Sequence, residues 1–211
     1  MVSVAAGLAL AWPVAAQTGP VAPQDQSPGS PGLVAPESPL PPVPPAPGEA
    51  PQQEAVIERL YRDLADPMNP NWAITEADIL REWSKSGSPA MDLLLRRGRE
   101  ALQAGDPDGA IEHLTALTDH APEFAEGWNA RASAFYMKGR LGLAMADIRQ
   151  ALTLNPHHFG ALAGLGMILE QLDRPDMALK AYRASLALNP HQTAVIEAVE
   201  RLETGDAGTA L

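Results

Sequence analysis

Three histidines in the second half of the chain have the side-chain chemistry to bind a metal ion. His157 and His158 are adjacent, and His191 lies further along the chain. Imidazole nitrogens are common metal ligands, so these rings would form a site if the segments that carry them came together. The alternative is that all three are solvated residues at the ends of helices. We favour this second interpretation and predict no metal site and no cofactor.

Two further motifs look like parts of ligand-binding loops. The run Asp106-Pro107-Asp108-Gly109 begins like a calcium loop, but the later oxygen ligands are missing. Gly160, Gly164 and Gly166 suggest a nucleotide loop, but they fall inside a predicted helix with no strand before it. The sequence also lacks a serine nucleophile elbow, a His-Glu-x-x-His zinc motif, a Walker phosphate loop and any cysteine. We therefore expect no catalytic residues, no enzymatic activity and no small-molecule substrate.

The charge of the chain is acidic and unevenly distributed. The formal net charge is −11, yet residues 89–191 hold twelve acidic and ten basic side chains and are close to neutral. A nucleic-acid-binding protein needs a basic face that releases counterions from phosphates, and no such face is evident. An acidic chain is also repelled by anionic lipid surfaces. These observations exclude nucleic acid as the expected partner and favour protein or peptide.

The first 16 residues, MVSVAAGLALAWPVAA, form an apolar run that ends in small side chains. The run is shorter than the roughly 20 residues that span a bilayer and suits a signal peptide cut before Gln17. No Lys or Arg precedes Arg59, so a basic start is missing, and we expect the true start to lie upstream of Met1. Alternatives are a buried apolar segment or, with a longer upstream extension, an uncleaved membrane anchor. The main prediction is an exported protein of the periplasm.

Residues 17–51 are dominated by proline, with 12 of the 21 prolines of the chain between Pro20 and Pro51. Proline fixes φ and removes a backbone donor, so this segment is predicted to be a disordered, extended linker. It would serve as a tether, as a ligand for a proline-recognising module, or as a plain linker.

Residues 52–88 predict an N-terminal hairpin of two helices. The first has apolar residues at four-residue spacing and ends at Asp66-Pro67, with a face made of Val56, Leu60 and Leu64 beside Tyr61. Thr75, with Asp78 three residues later, is a variant capping box and predicts the start of the second helix. The apolar face of that helix would be Ala77, Leu80 and Trp83.

A period of 34 residues runs through residues 89–191. Small residues, alanines and prolines recur in register, at Gly98, Ala132 and Gly166, at Ala110, Ala144 and Ala178, and at Pro122, Pro156 and Pro190. Apolar residues follow the same period, at Leu94, Trp128 and Leu162 and at Leu114, Ile148 and Tyr182. A fixed period of this length is typical of stacked helical units. The small residues are expected where paired helices cross closely, and the prolines where each second helix ends.

This pattern resembles the tetratricopeptide repeat (TPR) family, whose unit reads W-x2-L-G-x2-Y, then A-x3-F, then P. The second unit matches best, through Trp128, Ala132, Phe135, Ala144, Ile148 and Pro156. The resemblance implies an all-α fold, namely a right-handed α-solenoid of helix–turn–helix repeats preceded by the disordered Pro-rich segment. Three repeats would occupy residues 89–191, and the hairpin at 52–88 would belong to the same solenoid. Residues 192–211 would form a capping helix, beginning at Thr193, and a tail.

Two details of the repeats predict specific contacts. Asp106 can cap the second helix of the first repeat, with Pro107 at its first position.

The second repeat resembles a subclass of the family in which an Arg and an Asp pair between the two helices. That resemblance implies a partly buried ion pair between Arg131 and Asp147. The first repeat has His113 at the Asp position, so Arg97 would need another partner.

The resemblance also implies a concave groove formed by the first helices of the repeats. The groove positions occupied by candidate partner-binding residues are Leu95, Arg99, Leu102, Asn129, Ser133, Tyr136, Met137, Ala163, Met167 and Glu170. One binding mode of the family, a carboxylate clamp that holds chaperone C-termini, uses Lys and Asn at set positions. Those positions carry Leu95, Arg99, Ala130, Gly160 and Gly164 here. Chaperone tails are therefore not the expected ligand.

Two functions are consistent with these features. The first is a non-enzymatic adaptor or scaffold that binds a protein or peptide in the concave groove. The second is a self-associating structural repeat protein of the cell envelope, with the Pro-rich segment as a spacer. Contact with a membrane is expected only if the N-terminal segment is uncleaved.

Overall fold

The computed structural model of the protein describes residues 49–209, and the side-chain surroundings of residues 54–204. Within that part nine α-helices and no strand are present, in the order α1 Glu49–Ala65, α2 Trp72–Trp83, α3 Pro89–Gln103, α4 Pro107–His120, α5 Ala125–Met137, α6 Leu141–Leu154, α7 Phe159–Gln171, α8 Pro175–Leu188 and α9 Thr193–Thr209. The predicted all-α class is confirmed. The predicted leader and residues 17–48 of the predicted linker lie outside the described residues. None of the described helices is long and apolar enough to cross a membrane.

Three helix–turn–helix units make up the middle of the chain. Unit one is α3 and α4, unit two is α5 and α6, and unit three is α7 and α8; neighbouring units pack through the second helix of one and the first helix of the next. Each turn inside a unit contains one residue at positive φ, at Gly105 (74°), Gly139 (66°) and Asp173 (55°). A left-handed residue after a helix lets the chain reverse direction, and glycine adopts this conformation without strain.

The prolines of the 34-residue period and the Asp106 cap lie at helix ends, as the sequence predicts. The helices α4, α6 and α8 each end two residues before a proline of the 34-residue column. At the start of α4, the backbone N–H of Gly109 donates to Asp106 Oδ1 at 2.9 Å, and Pro107 is the first helical residue. Proline has no N–H to lose at that position and cannot continue a helix elsewhere, which explains both placements.

Small residues hold paired helices close together, as the sequence predicts. A Cβ atom on Gly98 would overlap the side chain of Leu114, and one on Gly166 would overlap the ring of Tyr182. The alanines of the period are fully buried, at Ala110, Ala132, Ala144 and Ala178. Larger side chains at these positions would force the helices apart.

The last helix, α9, covers the apolar end of unit three. It buries Val195 and Ala198 against α8, with Val199 and Leu202 packed beside them. Its opposite face is polar and exposed, with Glu197, Glu200 and Glu203. A polar-backed helix of this kind closes a stack of repeats.

The N-terminal hairpin forms, but its details differ from the sequence prediction. Helix α1 begins at Glu49, before Pro51, because the first turn of a helix tolerates proline. Helix α2 begins at Trp72, so the predicted capping box at Thr75 is wrong. Thr75 lies inside the helix, where its hydroxyl donates to the carbonyl of Asn71 at 3.3 Å. The buried face of α2 is also rotated from the predicted one, because Ile79 is fully buried and Ala77 is exposed.

The hairpin does not extend the stack beyond unit one. Leu64 of α1 and Ile79 of α2 pack against Phe159 of unit three. The Asn189 side-chain amide donates to Glu76 Oε1 at 2.9 Å across 113 residues of sequence. The hairpin thus folds back over the array and lies on the loops that follow α6 and α8. The sequence predicts that the hairpin belongs to the solenoid, and these contacts place it across the array.

Candidate functional site

The predicted ion pair between the two helices of unit two is present. Arg131 Nε donates to Asp147 Oδ2 at 2.7 Å and Nη2 donates to Oδ1 at 2.9 Å, which is a bidentate arrangement. The side chains are 13% and 7% exposed, so the pair is largely removed from solvent. Charge-assisted bidentate pairs are among the stronger polar contacts in proteins.

Arg131 also connects units one and two. Its Nη1 donates to the hydroxyl of Thr118 in α4 at 2.7 Å. The guanidinium lies over the rings of Trp128 and Phe135, 4.9 Å and 5.6 Å from their centroids. Because the guanidinium of Arg131 is already occupied by these hydrogen bonds and aromatic rings, it stabilises the fold and is not a binding residue. Arg97, at the equivalent position of unit one, is exposed.

A second buried polar cluster joins all three units. Arg99 of α3 pairs with Glu126 Oε1 at 2.6 Å, and His158 Nε2 lies 2.9 Å from Glu126 Oε2. The side chains of Glu126 and His158 are both 3% exposed. The backbone N–H of Ala161 donates to His158 Nδ1 at 3.1 Å, so the ring caps the start of α7. Because Nδ1 accepts that bond, the ring proton is on Nε2 and is donated to Glu126.

The environment of Glu126 keeps it ionised. Burial alone raises the pKa of a carboxyl group, but the hydrogen bond and the charge interaction with His158, together with the positive charge of Arg99, outweigh it and lower the pKa of Glu126 to about 2. The cluster therefore holds one buried carboxylate between the imidazole of His158 and the guanidinium of Arg99. Such a cluster contributes order and specificity to the fold. Because both carboxylate oxygens of Glu126 are engaged, this group is not available to transfer protons.

The segment after α2 covers the groove side of unit one. Ser84 Oγ accepts from Arg99 Nη1 at 2.9 Å. Asp92, near the start of α3, accepts hydrogen bonds from the backbone N–H and the hydroxyl of Ser86 at 2.8 and 2.6 Å. Arg99 was a candidate partner-binding residue, and the structure shows that its guanidinium is already held by Glu126 and Ser84.

Two candidate groove residues of unit one are core residues. Leu95 and Leu102 are 2% and 9% exposed and pack with Leu114 and Leu117. A groove-facing assignment transferred from the family pattern does not account for the neighbouring helices α4 and α5, whose side chains remove these two leucines from solvent. We therefore correct the candidate groove by removing Leu95 and Leu102.

The candidate residues of α5 lie at the surface, partly buried. Asn129 donates from Nδ2 to Glu126 at 3.4 Å, and its carbonyl accepts from the Ser133 hydroxyl at 3.2 Å. Tyr136 packs against the core of unit two, and Met137 packs against that of unit one. The side chains of this helix face are therefore half-buried and held by contacts within the chain.

Of the candidate residues in α7, Ala163 and Met167 pack against apolar side chains, and Glu170 is held by polar contacts within the chain. Ala163 and Met167 are half-buried against the core that unit three shares with α9. Glu170 accepts from the Tyr182 hydroxyl at 2.6 Å and from Arg201 Nη1 at 2.6 Å. The hydrogen bond from Arg201 lowers the pKa of Glu170, against the effect of its burial. Glu170 is thus an ionised residue committed to contacts within the chain.

His157, His158 and His191 are packing residues. His158 is 2% exposed, so the prediction of a solvated histidine is wrong at that position. His157 and His191 are half-buried, and each stacks on an aromatic ring of the hairpin. Within the described residues, no group of three or more His, Asp or Glu side chains is arranged to hold a metal ion.

Sequence reasoning missed the surface on which the hairpin lies, although a signal for it is present. The tripeptide Asn-Pro-His occurs at residues 155–157 and again at 189–191, which is one period of 34 residues later. Each copy contacts the hairpin, through Tyr61 in the first case and through Trp72 and Glu76 in the second. Two identical loop tripeptides in register could have indicated a shared binding surface.

Comparisons with known proteins agree with this architecture. The tetratricopeptide repeat family model matches residues 95–158 and 143–193. A TPR repeat-containing protein of Rhizobium etli is 31% identical over 153 residues, which are 72% of this chain and 75% of that protein. The first TPR domain of Spaghetti (RPAP3), solved with an HSP90 peptide, has a TM-score of 0.55 and 24% identity and covers 57% of this chain and 98% of that one. The structure of MamA has a TM-score of 0.53 and 21% identity, with 67% and 85% covered. The chain belongs to the tetratricopeptide repeat family.

Proposed function

We propose that this chain is a non-enzymatic adaptor that binds a segment of another protein on the face formed by α5 and α7. The observation that carries the proposal is the row of half-buried side chains on that face, Ser133, Met137, Ala163 and Met167. Methionine is flexible and polarisable, so it adapts to irregular apolar partners. The charged residues that border the row are engaged within the chain, Arg99 by Glu126 and Glu170 by Arg201. The expected ligand is therefore a segment with apolar side chains and little net charge.

Related folds support this class of function. The Spaghetti domain was solved with an HSP90 peptide, so a similar arrangement of helices holds a peptide in that protein. The identity of that ligand is not transferred, because the likeness extends to the fold alone.

Capture of a partner by the immobilised full chain tests the proposal. We expect the Met137→Ala/Met167→Ala double variant to lose a partner that the unchanged chain retains. Met177→Ala is the matched control, since Met177 is 51% exposed on α8, outside this face. Arg99→Glu is unsuitable for this purpose, because it would place a second negative charge against the buried Glu126. A partner retained equally by both methionine variants would contradict the proposed site.

The alternative, self-association, is favoured by one specific observation. Leu143 and Met177 are 48% and 51% exposed and occupy the same position in units two and three, one period apart. Leu172, 43% exposed, lies in the turn before α8. An apolar strip on the turn edge of the array could join two copies. Sedimentation velocity over a range of concentrations tests this: a Leu143→Lys/Met177→Lys variant should remain monomeric if the unchanged chain associates through the strip.

We further propose that the protein is exported and acts in the periplasm. The support is the apolar run at residues 1–16 followed by the Pro-rich segment. A fusion of residues 1–51 to a reporter enzyme that is active only outside the cytoplasm would test the proposal. Activity equal to that of the reporter alone would contradict it.

A further inference from the structure

The surface beneath the hairpin is built twice from the same elements. We name it the loop strip and define it as residues 155–159 and 189–191. In the first loop the backbone N–H of His157 donates to Asn155 Oδ1 at 3.1 Å. In the second loop the N–H of His191 donates to Asn189 Oδ1, also at 3.1 Å. Both loops therefore adopt the same turn and present an imidazole ring at the same place.

The hairpin places one aromatic ring on each of these imidazoles. Tyr61 of α1 stacks on His157 with centroids 4.5 Å apart and planes at 4°. Trp72 of α2 stacks on His191 at 4.9 Å and 10°. The two loops are thus engaged in parallel, each by one helix of the hairpin.

A third ring fixes the far end of the hairpin. Trp83 lies 4.5 Å from the ring of His158 and 5.1 Å from that of Phe159. Its indole N–H donates to the Tyr61 hydroxyl at 2.9 Å, which joins the two helices of the hairpin to each other. The hairpin therefore behaves as one body with three aromatic contacts.

The apolar core between the hairpin and the loop strip is smaller than the cores of the repeats. Within residues 54–204, it contains three buried apolar residues, Leu64, Ile79 and Phe159, whereas the cores of the units hold six to eight each. The interface also buries Glu76, whose hydrogen bond with Asn189 crosses it. Three buried polar atoms of the described side chains have no hydrogen-bond partner: Nδ1 of His157 at this interface, and Arg99 Nε and Asn129 Oδ1 in the repeats. A cleft of about 170 Å³ remains beside Trp83 and His158.

The hairpin is joined to unit one by a short segment that can act as a hinge. Residues 84–88 connect α2 to α3, and Gly87 within them has a φ of 81°. A few backbone rotations in this segment would move the hairpin without disturbing the helices of the array.

We infer that the loop strip is a docking site for a helical segment that presents aromatic rings, and that the chain's own α1–α2 hairpin is its reversible occupant. The hairpin undocks as one unit while the three repeat units stay folded. Undocking exposes Phe159 and the imidazole rings and releases Arg99 from Ser84. Only the last step, use of the uncovered surface by a partner, rests on the proposed adaptor function.

Hydrogen exchange of the full, unmodified chain tests the undocking without any partner. Local opening free energies range from near zero to the global value, so a unit with a small apolar core exchanges first. We expect amides of α1 and α2 to exchange at least tenfold faster than those of α5 and α6. Trp72→Ala should accelerate exchange in α1 and α2 several-fold and leave α5 and α6 unchanged. Trp128→Ala, the matched control in unit two, should not accelerate exchange in the hairpin selectively.

Thiol labelling provides a second readout, because the natural chain has no cysteine. Ile79 in the hairpin and Ile148 in unit two are both fully buried. The Ile79→Cys variant should react with a small thiol reagent at least tenfold faster than Ile148→Cys under native conditions. Trp72→Ala added to each should speed the first reaction and not the second.

Equal exchange of hairpin and repeats, with equal labelling of the two thiols, would overturn the inference, because the hairpin would then open only with the whole fold. Both measurements are made on the protein alone. Failure here is therefore distinct from failure to find a groove partner, and loss of the proposed adaptor function would leave the undocking result intact.

Discussion

Arg131 is a polar link between units one and two. It pairs with Asp147 and reaches Thr118 in the preceding unit. Removing one partner of a buried ion pair leaves the other charge without compensation. We expect Asp147→Ala to lower the free energy of unfolding by about 3 kcal/mol, which corresponds to a fall in Tm of about 6–12 °C.

Asp108 supplies the matched control for this prediction. It pairs with Lys138 at 2.7 Å, but its side chain is 74% exposed. Exposed pairs contribute little, so Asp108→Ala should cost less than about 1 kcal/mol. Thermal melts of the two variants decide the matter. Equal Tm values would show that the buried pair contributes no more than a surface one.

Glu126 predicts a specific loss of stability in acid. Its pKa in the folded state is about 2, below the ordinary value of 4.5, so the folded protein binds this proton less readily than the unfolded chain. The resulting stabilisation is complete above pH 4.5 and disappears as the pH falls through about 2. We expect the stability advantage of the unchanged chain over Glu126→Gln to shrink across that window.

Denaturant melts at a series of pH values below 5 measure this effect. Glu123→Gln is the control, because Glu123 is exposed and lies three residues earlier, in the turn before α5. Its profile should follow that of the unchanged chain. If Glu126→Gln also follows it, the carboxylate does not carry the acid sensitivity assigned to it here.

The residue-level contacts were predictable to different degrees. Arg131 and Asp147 could be paired in advance, because both residues match a recurring pattern within one 34-residue unit. The contact of His158 with Glu126 could not, because it links different units and depends on the path of the chain between them. Histidine is also an uncommon helix cap, so its bond to Ala161 has no familiar sequence signal.

At the scale of the element, α7 offers two glycines with opposite expected behaviour. A Cβ on Gly166 would overlap the Tyr182 ring, whereas one on Gly160 would meet only the His158 ring, at 3.5 Å or more. Overpacking costs about 1–3 kcal/mol, and alanine regains about 1 kcal/mol of helix propensity. We expect Gly166→Ala to destabilise the protein and Gly160→Ala to leave it unchanged or slightly more stable. Chemical denaturation of both variants checks this, and a neutral Gly166→Ala would mean that the helices can separate at no cost.

The elements of the repeats were predictable because local and long-range signals agree in them. Period, small residues and terminal prolines all point to the same helix boundaries. The hairpin helices could also be expected, but α2 was placed three residues late, since Thr75 looks like a cap and is buried instead. Where the hairpin lies could not be read from its own sequence, because an amphipathic face does not specify which surface it covers.

At the scale of the whole molecule, the charge pattern of the groove predicts which ligands it rejects. A chaperone tail ends in carboxylates, and of the positions that would hold them only Arg99 is cationic. That guanidinium is 2.6 Å from Glu126. We expect the HSP90 peptide SRMEEVD, held by the Spaghetti domain, to bind this chain with a Kd weaker than about 1 mM. Calorimetry with that domain as a positive control measures this, and micromolar binding would refute it.

The hairpin has a mechanical consequence for the array as a whole. A stack of repeats resembles a spring, because each unit touches only its neighbours and small rotations accumulate along the stack. Here α2 ends beside Arg99 of unit one, while Glu76 in the same helix bonds Asn189 beyond unit three. This helix acts as a strut between the two ends, so curvature is held at a fixed value while the strut is seated. X-ray scattering of Trp72→Ala should show a longer particle with a wider spread of dimensions; an unchanged profile would mean that the stack is stiff without the strut. A partner that displaces the hairpin would therefore alter the shape of the surface that it binds.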